Sequence, residues 1–456
     1  MEYGINVDSL QKLLEMNNNK NNKEEIKKSK EIEKYKSKIV EYTFFVQNEI
    51  EVCDKLNTID KSYQYNSTYH FLTIKKYDFV KVCESNKQIL EKMNIAIDLT
   101  KNANNKKIVL LKYQKDVGNG TNNEQMSPFI DSFFYHHHLN NTSLFPDKPR
   151  ASFIFWEFIN IYEDLFDDFL FLANKDIMFL DFSSKNLLYN KKHTIFFNKF
   201  DKCLIRKEFD VSKKIIGEHE LDLQKLTKYI EIESYIDKFI NIIESIEYYG
   251  NKHFDLYFSK QLIKSKNFYS VYQNLDIIIN DYLNNLQFLK NFSDKFINDN
   301  KNKWKALIKS KIQENVRFLN MDEKNINWKL YLLLLLENSQ KTIWETFSFN
   351  NLFLNITYYM MKIFDIKDKT SVVHRYFKFL FLNMDINCTS FNNNNNNNNT
   401  INISVCRSNY DKFRDSFEDN KDFDNLSNFF CLSHVNVEQQ QELYDFLSQS
   451  IDIEAF

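Results

Sequence analysis

Only five glycines and three prolines are spread over 456 residues, and this scarcity narrows the available folds more than any motif does. Tight turns, positive-φ corners and strand-dense architectures draw on glycine and proline. A chain so poor in both reads as long helices joined at few sharp corners. Forty-three phenylalanines and twenty-five tyrosines supply large side chains for cores, and the length suffices for two or three domains or one two-lobed domain with additions. The abundance of Asn, Lys, Ile, Phe and Tyr also fits an AT-rich genome, so composition is discounted as functional evidence. A net charge of -2 gives no general field for nucleic acid or an anionic membrane. The longest apolar run, residues 330–336, is too short to span a bilayer. The opening Met1-Glu2-Tyr3-Gly4 lacks the pattern of a signal peptide. Cys53, Cys83, Cys203, Cys388, Cys406 and Cys431 are scattered without a C-x-x-C. That argues against a zinc ribbon or disulfide framework and predicts a reducing, intracellular setting, cytoplasmic by preference.

In chain order, residues 1–40 read as a mobile or weakly helical segment rich in Asn, Lys and Glu. A helix is predicted over residues 44–56, followed by strand-like runs at 70–82 and 107–113 with a helix over 87–99 between them. Gly118-Asn119-Gly120 reads as a flexible turn. His136-His137-His138 does not make a metal site, because three successive side chains cannot face one ion and no carboxylate or cysteine stands at ligand spacing. Pro146 and Pro149 mark the loop before an amphipathic helix over 155–172. Further helical stripes occupy 221–249, 271–296, 304–319, 328–337, 352–364 and 372–381, and read as aromatic-rich core. Residues 387–409 form an Asn-rich low-complexity stretch, and 410–456 an acidic tail with a short helix over 437–448.

The chemistry concentrates after the 155–172 helix. Asp181-Phe182-Ser183-Ser184-Lys185-Asn186 places a carboxylate and a carboxamide five positions apart, and two short apolar runs, 187–189 and 195–197, follow around a polar tip. Helix, loop, strand, turn and strand in this order resemble the catalytic loop of the protein kinase family, H-R-D-x-x-x-x-N, two strands, then D-F-G. The resemblance implies Asp181 as the catalytic base, Asn186 as a magnesium ligand, and Lys185 as a charge steadying the transferred phosphate. Glu49 would be the helix acid that pairs the nucleotide-holding lysine, although a solvent-facing Glu is the plainer reading. In that register nothing before Glu49 resembles the lysine strand. A rival register makes 80–82 that strand, with Lys81, and Glu91 the acid.

Departures from the family carry as much information. The position of the D-F-G Asp is held by Lys199, followed by Phe200 and Asp201, and Phe179-Leu180 replaces the His-Arg pair. An ammonium about 4 Å from a divalent ion repels it by roughly 8 kcal/mol at an effective dielectric of about 20. Metal binding would therefore need Asp201 or the neutral Asn198, or else Lys199 would neutralise phosphate without metal. No glycine lies between Gly4 and Gly118, so the loop that covers phosphates is missing. Asp255 reads either as the buried acid that opens the central C-lobe helix and anchors the catalytic loop or as a helix N-cap, and residues 346–364 compete for the central helix.

The expected fold is α+β, a kinase-like two-lobed fold with a reduced N-lobe over 41–120 and a large, mainly α-helical C-lobe with insertions over 121–386. The expected function is a Ser/Thr-kinase-like protein with impaired catalysis, with ATP and Mg2+ as the implied cofactors and a protein as substrate or partner. Two alternatives stand beside it: a helical interaction scaffold that binds no nucleotide, and an active atypical kinase that uses Asp201 or Lys199 in place of the metal-binding Asp.

Overall fold

The computed structural model describes residues 35–60, 71–80, 108–114, 127–128, 148–189, 195–207, 223–338, 343–363, 372–384 and 403–415. It divides into two compact units: residues 1–127 with 186–203, and residues 128–185 with 204–456. The expected boundary near residue 120 is therefore crossed a second time, because 186–203 belong with the first unit. The sequence readings at 87–99, Gly118 to Gly120, 136–138, 392–399 and 437–448, and the rival pair Lys81 and Glu91, lie outside the described residues.

The first unit opens with β1 (Tyr35–Glu41), which corrects the expectation of a mobile segment up to residue 40. Ile39 and Val40 supply β-branched residues amid the lysines, and the strand gains its ladder from a partner distant in sequence. Helix α1 (Phe44–Asp60) follows, then β2 (Ile74–Val80) and β3 (Ile108–Gln114). The sheet order is β1-β3-β2 and both pairings are antiparallel. Ile108, Val109, Leu110 and Leu111 are all buried, so the central strand is covered on both faces and reads as an unbroken apolar run. Ile50, Val52, Cys53 and Leu56 of α1 are buried. Asn57 ties the helix to the start of β2, donating to the Ile74 carbonyl at 2.6 Å and accepting from Thr73 and Lys75. Strands β5 (Leu187–Tyr189) and β6 (Ile195–Phe197) form an antiparallel pair, and Phe71 bridges to Phe197.

The second unit is mainly helical. Helix α2 (Lys148–Asn174) starts with Pro149 in its first turn, where a missing N–H costs nothing, rather than in a preceding loop. Phe155, Phe158, Ile159, Tyr162, Leu165, Phe166, Phe169 and Leu172 recur at helical spacing and are buried. Tyr162 lies at the centre, with ring centroids of Phe349, Phe353 and Tyr410 at 4.7, 4.9 and 5.2 Å. Its hydroxyl donates to Asn350 Oδ1 at 2.9 Å, satisfying a buried polar group. Strand β4 (Ile177–Phe179) pairs with β7 (Cys203–Ile205). Helices α3 (Leu223–Ser245), α4 (Phe254–Ser265), α5 (Phe268–Gln273), α6 (Leu275–Asn285), α7 (Asp294–Leu319), α8 (Trp328–Asn338), α9 (Ile343–Ile363), α10 (Val372–Leu382) and α11 (Ile403–Asp415) follow. The predicted helix over 271–296 is broken, since Asn274 ends α5 and the chain turns extended at Leu286. Helix α11 corrects the tail reading: 403–409 are helical, and the helix crosses the expected boundary at 410. Arg407 and Arg414 pair with Glu163 of α2, and Arg407 also pairs with Asp167. The broad pattern, helices with a few small antiparallel sheets, is of the α+β type.

Candidate functional site

Two sets of predicted site residues take shape, one in each unit. In the first unit Glu49 is only 8% exposed on α1, which overturns the solvent-facing reading. Its carboxylate accepts a backbone hydrogen bond from Phe200 and feels the charges of Asp201, Lys38 and Lys199. Burial, reinforced by Asp201, raises its pKa to about 7, against the pull of the Phe200 N–H, Lys38 and Lys199. Asn48, next to it, donates to the carbonyls of Asp201 at 2.9 Å and Cys203 at 2.6 Å. Adjacent residues of one helix thus grip both the N–H and the C=O groups of residues 200–203.

Lys38 is the residue that sequence reasoning missed. It lies on β1, opposite Leu111, on a strand that precedes the Glu49 helix, and its charge favours the ionised glutamate. The signal was the stretch Tyr35 to Val40, whose Ile-Val end was overshadowed by the lysines around it. A lysine-bearing strand therefore precedes the Glu49 helix.

Lys199 is exposed and takes φ 60. A left-handed backbone is uncommon for a residue with a Cβ and stores strain. It directs the chain out of β6, after Asn198 has donated its N–H to the Asn186 carbonyl at 2.9 Å. Phe200 is fully buried, with its ring 6.0 Å from Phe71. Asn186 is buried at the end of a short 3-10 turn, Ser184–Asn186. Glu49, Lys199, Asn186 and Asp201 therefore all belong to the first unit, and charge links Glu49 with Lys199 and Asp201.

Asp181 and Lys185 belong to the second unit. Lys185 is exposed, and the cation at Asp181 is instead Lys252, whose Nζ donates to Asp181 Oδ1 at 2.9 Å and to the Phe182 carbonyl at 2.7 Å. The Lys252 side chain is 1% exposed and that of Asp181 22%. The loop before α4 is built to place this lysine. The Tyr282 hydroxyl donates to the Lys252 carbonyl at 3.1 Å, and Gln287 N–H to the Gly250 carbonyl at 2.9 Å. A Cβ on Gly250 would lie 2.6 Å from the Asn285 carbonyl oxygen, so only glycine permits this approach. Beneath the loop, Phe182 packs edge-on against Phe169 and Phe179, with centroids at 4.8 and 5.8 Å.

A second buried charge fixes the strand leading to Asp181. Glu345, in the first turn of α9, accepts from Arg206 at 2.8 Å and takes a backbone hydrogen bond from Phe179. Arg206 also donates its backbone N–H to the Asp176 carbonyl at 2.7 Å. Burial pushes the Glu345 carboxyl up, while the Arg206 guanidinium opposes that shift. Asp255 does not anchor this strand, and neither does it cap α4. His253 Nδ1 accepts the Asp255 N–H, and the Asp255 carboxylate takes Lys311 Nζ at 2.9 Å and Trp344 Nε1 at 3.1 Å. Burial favours the neutral acid there, but the Lys311 ammonium, helped by the Trp344 N–H, outweighs it and holds the carboxyl below its usual range.

The donors near Lys199 do not suit a magnesium ion held in the kinase manner. Among the described residues no group of three or more His, Cys, Asp or Glu could hold a metal, and the position expected to supply the chief carboxylate carries an ammonium. Among the described residues no helix is long and apolar enough to cross a membrane. Compared with known proteins, the chain matches no family model, no curated sequence and no solved structure.

Proposed function

We propose that this chain is a protein-kinase-like protein whose phosphoryl transfer is impaired. The observation that carries the reading is the Asn48–Glu49 grip on residues 200–203, with Lys38 on the strand before the Glu49 helix. A strand lysine, a helix glutamate and a Phe-containing segment after a short hairpin form the arrangement that positions nucleotide phosphates in kinases. A carboxylate at Asp181, on a loop anchored through Phe179 and Phe182, supports the same reading. Impairment follows from charge. Phosphoryl transfer depends almost wholly on positioning and on neutralising phosphate. Lys199 repels the metal that would do the latter, and no glycine loop is available in the sequence to cover the phosphates.

The test is thermal unfolding with and without ATP, each in EDTA and in magnesium, since a ligand that binds only the folded state raises the midpoint. The expected result is a rise with ATP that EDTA does not abolish, with Lys38 and Lys199 taking the place of the metal. A rise that requires magnesium would instead favour Asp201 as a displaced ligand and an active atypical kinase. No rise under any condition would sink the nucleotide reading and leave a helical interaction scaffold.

A further inference from the structure

An ammonium that is 1% exposed carries a large desolvation cost unless it is paired. Lys252 meets that requirement in a particular way: one ammonium spans Asp181 Oδ1 and the carbonyl of the next residue, Phe182. Two bonds to consecutive residues fix both the carboxylate and the backbone from which it projects. The lysine is itself immobilised at its backbone. Its N–H donates to the Tyr249 carbonyl at 3.1 Å, its own carbonyl takes the Tyr282 hydroxyl, and the next residue caps α4.

We propose that Lys252 is a positioning residue for Asp181, locking the carboxylate into one rotamer so that it meets a hydroxyl-bearing ligand in a single orientation. This rests on the reading of Asp181 as the acceptor of a substrate hydroxyl proton. The cation that meets Asp181 thus comes not from its own loop but from Lys252, seventy-one residues beyond the aspartate. Asp181 and Lys252 then act as one unit, and removing the carboxylate alone costs the buried ammonium its Asp181 ion pair.

The test has two parts, neither of which requires nucleotide. In the first, Asp181→Asn and Lys252→Met each lower the thermal midpoint by roughly 6 °C or more, while the double variant recovers at least half of the summed loss, as coupled partners do. In the second, the three-bond N–Cγ and C′–Cγ couplings of Asp181, read in selectively labelled full-length protein, report a single χ1 rotamer in the wild type. They become averaged in Lys252→Met, at a temperature where that variant is folded, and return to one rotamer in Lys252→Arg. A lysine with a purely structural role would leave those couplings unmoved. Unchanged couplings in Lys252→Met, or strictly additive thermal losses, would overturn the proposal. A missing ATP response in the wild type overturns only the kinase-like reading, because the rotamer measurement is independent of it.

Discussion

Two carboxylates of this chain, Asp181 and Glu49, are treated in opposite ways. Asp181 in the second unit is met by an opposite charge, the buried Lys252 ammonium. Glu49 in the first unit is buried with a like charge, Asp201, acting on it. An opposite charge makes a position rigid and costly to alter, whereas burial, reinforced by a like charge, makes it responsive to protons. One carboxylate is thus bound into the scaffold, while the other is poised near neutrality.

Substitution should separate them by sign. Asp181→Asn takes the carboxylate partner from a buried cation and is expected to cost about 3–5 kcal/mol, measured by urea unfolding at pH 7. Glu49→Gln acts the other way. With its folded-state pKa raised to about 7, Glu49 contributes stability that is fully present below its unfolded value and is lost as pH rises through about 7. Wild-type stability should therefore fall between roughly pH 4.5 and pH 7, by about 3 kcal/mol in all, and level off above. Glu49→Gln should flatten that window, which a series of unfolding curves across pH would reveal; an unaltered slope would mean that another group titrates there.

Smaller changes sharpen the contrast. Asp201→Asn removes the like charge, so the Glu49 midpoint should move toward acid, an effect below about 1 kcal/mol, visible in carboxyl carbon shifts followed by NMR. Lys199→Gly relieves the left-handed backbone at φ 60 and should add about 0.5–1 kcal/mol, read as a higher urea midpoint with unchanged m-value. A loss there would show that the Lys199 charge outweighs its backbone strain.

What the sequence disclosed follows from where the physics is local. Helix α2, the hairpin after Asp181 and the apolar β3 were legible because each carries its own period or turn signal. Strand β1 was not, since a strand of lysines beside Ile39 and Val40 becomes one only by pairing with β3, over seventy residues later. Residues 186–203 gave no sign that they belong with the first unit, because contacts distant in sequence decide that. Asp181, Asn186, Lys199, Asp201 and Glu49 could be picked out by spacing. Lys38, Lys252 and Glu345 could not, as each acts through a charge or hydrogen bond that joins remote parts of the chain. Asp255 misled in the other direction: its place at a helix start suggested a cap, while its charge is matched to Lys311, a partner on another helix.

Gly250 adds a genetic consequence. Every missense change of a glycine codon adds at least a methyl group, and at this position even that carbon meets the Asn285 carbonyl oxygen. The code offers no mild substitution there. This codon, two residues before Lys252, has no conservative neighbour to mutate into.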